Sequence, residues 1–109
     1  MELSEKITEK NIIVGVEGEI NLFNSPRVRE KIQKLFGEHS KSVVIDLSKV
    51  PYIDSTAIGT LISLTIHLKK KEKMLKLCAL GEDVKKILAT TKTNRYFAIY
   101  RSLEDAEKA

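Results

Sequence analysis

The run Ser42-Val43-Val44-Ile45-Asp46-Leu47 carries apolar side chains at both odd and even positions. A strand points alternate side chains to opposite faces, so a run that is apolar on both parities is expected where a sheet is covered on both sides. This segment is predicted to be the centre of the sheet, and the rest of the chain must supply its cover. The flanks read accordingly. Residues 2–8 and Ile12-Ile13-Val14-Gly15-Val16-Glu17 are two strands with a tight turn at Lys10-Asn11. Ser25-Pro26 signals a helix start, with Ser25 as cap and Pro26 at the first helical position; Val28, Ile32, Leu35 and Phe36 follow at helical spacing, and Gly37 ends the element.

After Pro51 the chain reaches Asp54-Ser55-Thr56 and enters a helix through about Lys70, with Ile58, Leu61, Ile62, Thr65 and Leu68 predicted on the inward face. Met74 to Leu80 reads as a strand. Glu82 to about Thr91 reads as a helix with Val84, Ile87 and Leu88 inward, and Tyr96 to Tyr100 as a last strand. Ser102 with Asp105 has the spacing of a capping box for a short terminal helix. Strands alternating with helices after an opening hairpin predict an α/β fold with a mixed, mostly parallel sheet of about five strands and about four helices packed against it. Its 109 residues are expected to form a single domain, residues 1–109.

Charge narrows the function classes. The net charge of +4 is uneven: residues 1–54 hold 8 Lys/Arg against 9 Asp/Glu, and residues 55–109 hold 11 against 6. Lys69, Lys70, Lys71, Lys73 and Lys76 form the densest cluster, read as a solvated helix end and turn, without the interleaved aromatics that stack on bases. No nucleic-acid partner is expected. No apolar run approaches the roughly 20 residues that span a bilayer, and the start lacks the order of a signal peptide, so a cytoplasmic protein without membrane insertion is predicted. Cys78, the only cysteine, has no partner for a disulfide, a Cys-x-x-Cys pair or a zinc site, and is expected to pack as a small apolar side chain.

Catalytic patterns are missing. The glycines at 15, 18, 37, 59 and 81 match neither a dinucleotide-binding turn nor a phosphate loop, and no cofactor or metal site is predicted. His39 is expected in a surface loop after Gly37. His67 lies about 18 Å along the helix from Ser55 at 1.5 Å per residue, beyond hydrogen-bond reach, so nothing activates Ser55 as a nucleophile. What remains is Tyr52-Ile53-Asp54-Ser55-Thr56-Ala57-Ile58-Gly59. Taken locally, Asp, Ser and Thr at a helix start cap free N–H groups. The outer side of the same helix is predicted to carry Thr56, Gly59, Thr60, Ser63 and His67, mostly small side chains that allow another protein to approach closely.

Asp46-Leu47-Ser48 and Tyr52 to Gly59, together with Gly18-Glu19-Ile20 ahead of Asn24-Ser25-Pro26, resemble the STAS family, specifically bacterial anti-sigma factor antagonists. The resemblance spans nearly the whole chain. It implies a STAS-type fold and a non-enzymatic switch in transcription regulation. A partner that is both anti-sigma factor and serine kinase binds the unphosphorylated protein and releases it after phosphorylating Ser55; a phosphatase that restores Ser55 is a further implied partner. By motif position Asp54 would help place the Ser55 hydroxyl, and Asp54, Ser55, Thr56, Ala57, Gly59, Thr60, Ser63, Asn21 and Asn24 would form the docking surface. Asn21 stands where the family commonly has Asp, and Ala57 where it often has Gly; the latter is expected to cost a little clearance. The alternatives are a constitutive STAS adaptor in a larger assembly, such as a transporter complex, and a nucleotide-binding regulator, for which no phosphate-loop motif exists here.

Overall fold

In the computed structural model, which describes residues 1–109, strands Glu2–Ile7 (β1), Asn11–Glu17 (β2), Ser42–Lys49 (β3), Leu75–Cys78 (β4) and Ala98–Tyr100 (β5) form one sheet in that order. β1 and β2 are an antiparallel hairpin closed by the Thr8 N–H on the Asn11 carbonyl at 2.8 Å. The other pairs are parallel, and helices Ser25–His39 (α1), Ser55–Lys70 (α2) and Glu82–Thr90 (α3) make the crossovers. Crossovers of one hand that step the same way across a sheet leave their helices on one face. The main core follows: Ile12, Val14, Ile45, Leu75 and Leu77 of the sheet pack with Val28 and Ile32 of α1, Leu61, Leu64 and Leu68 of α2, and Val84 and Leu88 of α3.

The second face therefore needs separate cover, and the short helix Leu103–Lys108 (α4) supplies it. Ile13, Val44 and Cys78 are buried there against Ala106, flanked by Ala79, Tyr100 and Leu103. β3 thus sits at the centre with Val43, Val44, Ile45 and Leu47 all fully buried, as the run at 42–47 predicts.

Several local expectations are corrected. Ser25 is not the cap of α1: it is its first residue and buried, while Asn24 occupies the cap position and turns its side chain into the preceding loop. Gly37 lies inside α1, which runs to His39 and stops at Ser40 in the left-handed conformation, φ 50°. A glycine on an exposed turn does not break a helix whose other face is packed. His39 is accordingly an exposed helix residue rather than a loop residue. β4 begins at Leu75 and ends at Cys78, and Tyr96 belongs to a 3₁₀ turn before β5. The Ser102 hydroxyl does cap α4, accepting the Asp105 N–H at 3.1 Å.

Two corrections affect function. Lys76 is not part of the solvated basic cluster: Leu75 and Leu77 face the main core, so strand alternation turns Lys76 to the second face, where α4 buries it to 2% exposure. Burial, with Lys10 adding a like charge, pushes its pKa below the usual lysine value. The inward face of α2 comprises Ala57, Ile58, Thr60, Leu61, Leu64 and Leu68, with Ile62 and Thr65 only half-buried. Leu64→Ala is therefore expected to cost about 2–5 kcal/mol in urea unfolding, while Ile66→Ala, on the half-exposed outer side, changes stability by less than about 0.5 kcal/mol.

Candidate functional site

Where β2 and β3 end, the chain continues as two neighbouring segments rather than separating. The Gly18 N–H donates to the Lys49 carbonyl at 2.9 Å, the Ile20 N–H to Tyr52 at 3.1 Å, and the Asp54 N–H to Ile20 at 3.2 Å. Ile20 and Ile53 form a parallel bridge and are both buried. Gly18 leaves β2 at φ 104°, a conformation open to glycine at little cost. This pairing places residues 20–24 beside the first turn of α2.

The 20–24 loop is fixed by its own amides. Asn21 Oδ1 accepts the N–H groups of Phe23 at 2.9 Å and Asn24 at 3.2 Å, and Asn24 Oδ1 accepts the Asn21 N–H at 2.8 Å. Asn24 Nδ2 donates to the Glu19 carbonyl at 2.9 Å. The uncharged Asn21 thus provides an acceptor that shapes the loop.

Asp54 joins the two segments. Its Oδ1 accepts the Ala57 N–H at 2.8 Å, the N-cap bond of α2, and its Oδ2 accepts the Leu22 N–H, also at 2.8 Å. The expectation that Asp54 helps place the Ser55 hydroxyl is corrected by these bonds: both carboxylate oxygens are directed to backbone N–H groups, and the Ser55 hydroxyl makes no hydrogen bond. Ser55 is the first residue of α2 and exposed, and the N–H groups of Ser55 and Thr56 have no protein partner. The site therefore presents the unbonded hydroxyls of Ser55 and Thr56 at the positive end of a 16-residue helix.

Around it the surface is partly apolar. Leu22 is 57% and Phe23 88% exposed, held outward by a loop whose N–H groups from Asn21 to Asn24 are all bonded. Thr56, Gly59 and Ser63 continue the exposed face along α2, and a side chain at Gly59 would meet nothing within 4 Å. Ser63 accepts from Arg29 Nη1 at 3.3 Å. Ala57 and Thr60 do not reach this face. Ala57 is fully buried and Thr60 8% exposed, because positions 57, 60, 61, 64 and 68 follow the inward stripe of the helix. The Ala57 methyl therefore takes no clearance from a partner. Leu22 and Phe23 were not predicted; two consecutive apolar residues between Asn21 and Asn24, outside any strand or helix period, were the available signal.

Catalytic groups do not converge here. His67 lies near the far end of α2, edge-on to Phe36 with ring centroids 5.9 Å apart, and His39 ends α1. No group of three His, Cys, Asp or Glu side chains is arranged to hold a metal ion, and no helix is long and apolar enough to cross a membrane.

The family model of the STAS domain matches residues 3–106. The chain belongs to the STAS family. Among curated STAS relatives, the anti-sigma-B factor antagonist of Bacillus subtilis is 34% identical over 86 residues, covering 79% of this chain and 78% of the relative. The anti-sigma-B factor antagonist of Listeria monocytogenes is 28% identical over 91 residues, covering 84% and 79%. The same fold is seen in a crystal structure of a protein from Thermotoga maritima, with a TM-score of 0.87 at 22% identity, covering 97% of this chain and 92% of that one.

The two hydrogen bonds that Asp54 accepts yield a stability prediction. Asp54→Ala removes the helix cap and releases the Leu22 N–H, and is expected to cost about 1–3 kcal/mol in urea unfolding. Asp54→Asn keeps acceptor oxygen for only one of the two N–H groups and is expected to fall between wild type and Asp54→Ala.

Proposed function

We propose that this STAS protein is an anti-sigma factor antagonist switched at Ser55. In its unphosphorylated state it binds an anti-sigma factor that is also a serine kinase, and thereby frees a sigma factor. Phosphate on Ser55 ends the binding, and a phosphatase restores the hydroxyl. The observation that carries this reading is the unbonded, exposed Ser55 hydroxyl at the start of α2, set between the outward Leu22–Phe23 pair and the small-residue face of Thr56, Gly59 and Ser63.

The chemistry supports a switch in both directions. A phosphoryl group at a helix N-terminus meets free N–H groups and the positive end of the dipole, so the domain tolerates it. In an interface shaped for a neutral hydroxyl, the same group brings about −1.5 to −2 charges next to the Asp54 carboxylate. Desolvating them without new cations costs several kcal/mol, and about 1.4 kcal/mol is already tenfold in affinity. The partner supplies the kinase chemistry, since both oxygens of the neighbouring Asp54 carboxylate are engaged on backbone N–H groups and the chain has no phosphate loop. Phe23 is an exposed aromatic of the kind that dominates interface energetics, and Leu22 adds apolar area beside it. Asn21 and Asn24 shape the loop that presents them, and the buried Ala57 and Thr60 contribute only through the fold.

Calorimetric titration against the anti-sigma kinase tests the reading. Ser55→Asp is expected to bind at least about tenfold more weakly, with a thermal midpoint within about 3 °C of wild type. Ser55→Ala is expected to bind like wild type and to accept no phosphate. Phe23→Ala is expected to lose more than about fivefold in affinity while folding normally. Wild-type affinity in Ser55→Asp contradicts the switch.

A further inference from the structure

The second face of the sheet is held by a different balance of forces from the first. Under α1, α2 and α3 lies a continuous core cluster of 24 buried residues, whereas only Ile13, Val44, Cys78 and Ala106 form the buried cluster at α4. α4 spans six residues, and a helix that short is unstable alone because the cost of nucleation is not recovered. It is helical only against the sheet. Its C-terminal end is fixed by polar groups. Lys76 Nζ on β4 donates to the backbone oxygens of Ala106 and Ala109, each at 3.0 Å, and to Asn11 Oδ1 at 3.2 Å. Asn11 Nδ2 on β2 donates to the Glu107 carbonyl at 3.1 Å. Both side chains are 2% exposed, and an ammonium suits the carbonyl end of a helix.

This composition makes α4 releasable. Lifting it returns an ammonium and a carboxamide to water together with a small apolar area, so hydration of the clasp offsets much of the cost of uncovering Ile13, Val44 and Cys78. Lifting any of the other three helices opens the main core instead. We infer that α4 is a separately opening strap, clasped by Lys76 and Asn11, whose release uncovers the Cys78 side of the sheet while the other face stays closed. Burial first, then Asp46 and Glu107, pushes the Cys78 thiol up to about 11. Under the closed strap at neutral pH the thiol is both covered and protonated, so its reactivity measures opening. The strap lies across the sheet from α2, so it opens on a face that a partner seated on α2 leaves free.

Alkylation of Cys78 in the full chain by iodoacetamide at neutral pH, read by mass spectrometry across urea concentrations below the global transition, tests this. A strap predicts a labelling rate that rises with urea much less steeply than global unfolding does, since the slope scales with the surface exposed. Lys76→Met leaves the Ala106 carbonyl and Asn11 Oδ1 without their donor and is expected to raise the labelling rate at least about tenfold, while amides of β2 and β3 keep wild-type protection in hydrogen exchange. Ala106→Phe, which overpacks the fully buried seat of the strap while keeping the backbone carbonyl that Lys76 holds and adding no charge, is expected to do the same. Labelling of the wild type that follows global unfolding, or an unchanged rate in both variants, overturns the inference.

Discussion

The architecture follows from a central strand whose middle, Val43 to Ile45, is buried on both faces. Val43, Ile45 and Leu47 of β3 point into the main core and Val44 into the smaller one, so both faces of the sheet must be covered. Crossovers that run the same way cover one face with three helices, and the other is left to six residues of α4. The same topology gathers the chain reversals of β2 and β3 beyond their carboxyl ends, where parallel sheets habitually place their functional sites. There the Ile20–Ile53 bridge and the Asp54 carboxylate convert two neighbouring reversals into one rigid surface.

That surface separates support from signalling. Asp54 is engaged on two backbone N–H groups, Asn21 and Asn24 bond each other and the loop, and Ala57 is buried. Ser55, Thr56, Leu22 and Phe23 are left outward, with nothing in the chain to satisfy their hydroxyls or cover their apolar surface. A charge added to Ser55 therefore changes what a partner meets without removing any bond that holds the domain. The proposed switch depends on this separation: the supporting groups act through the fold, and the signalling group acts only at the interface.

Much of the fold was legible because strong periodicities agree with it. The run at 42–47 marks the central strand, and Asp54 followed by apolar residues marks α2 from Ser55 to Lys70. The misread positions share one cause, that local pattern does not reveal what packs from far along the chain. Lys76 looks like one more lysine in a basic stretch until α4, some thirty residues on, covers it. The inward stripe of α2 was misjudged because apolar residues occur on several sides of that helix; Leu64, Ala57 and Thr60 face the sheet, while Ile66 is half exposed. Ser55 was legible through the family motif. The role of Asp54 as a bridge to Leu22 was not, since that bond joins residues 32 apart.

The central claim is that phosphate at Ser55 alters an interface and not a fold. The most direct measurement compares the amide NMR spectra of the Ser55-phosphorylated and unmodified chains. The account predicts shifts confined to residues 20–24 and the first turns of α2, with the β3 and β4 amides unmoved. Shifts spreading through β3 and β4, or loss of dispersed signals, would contradict it.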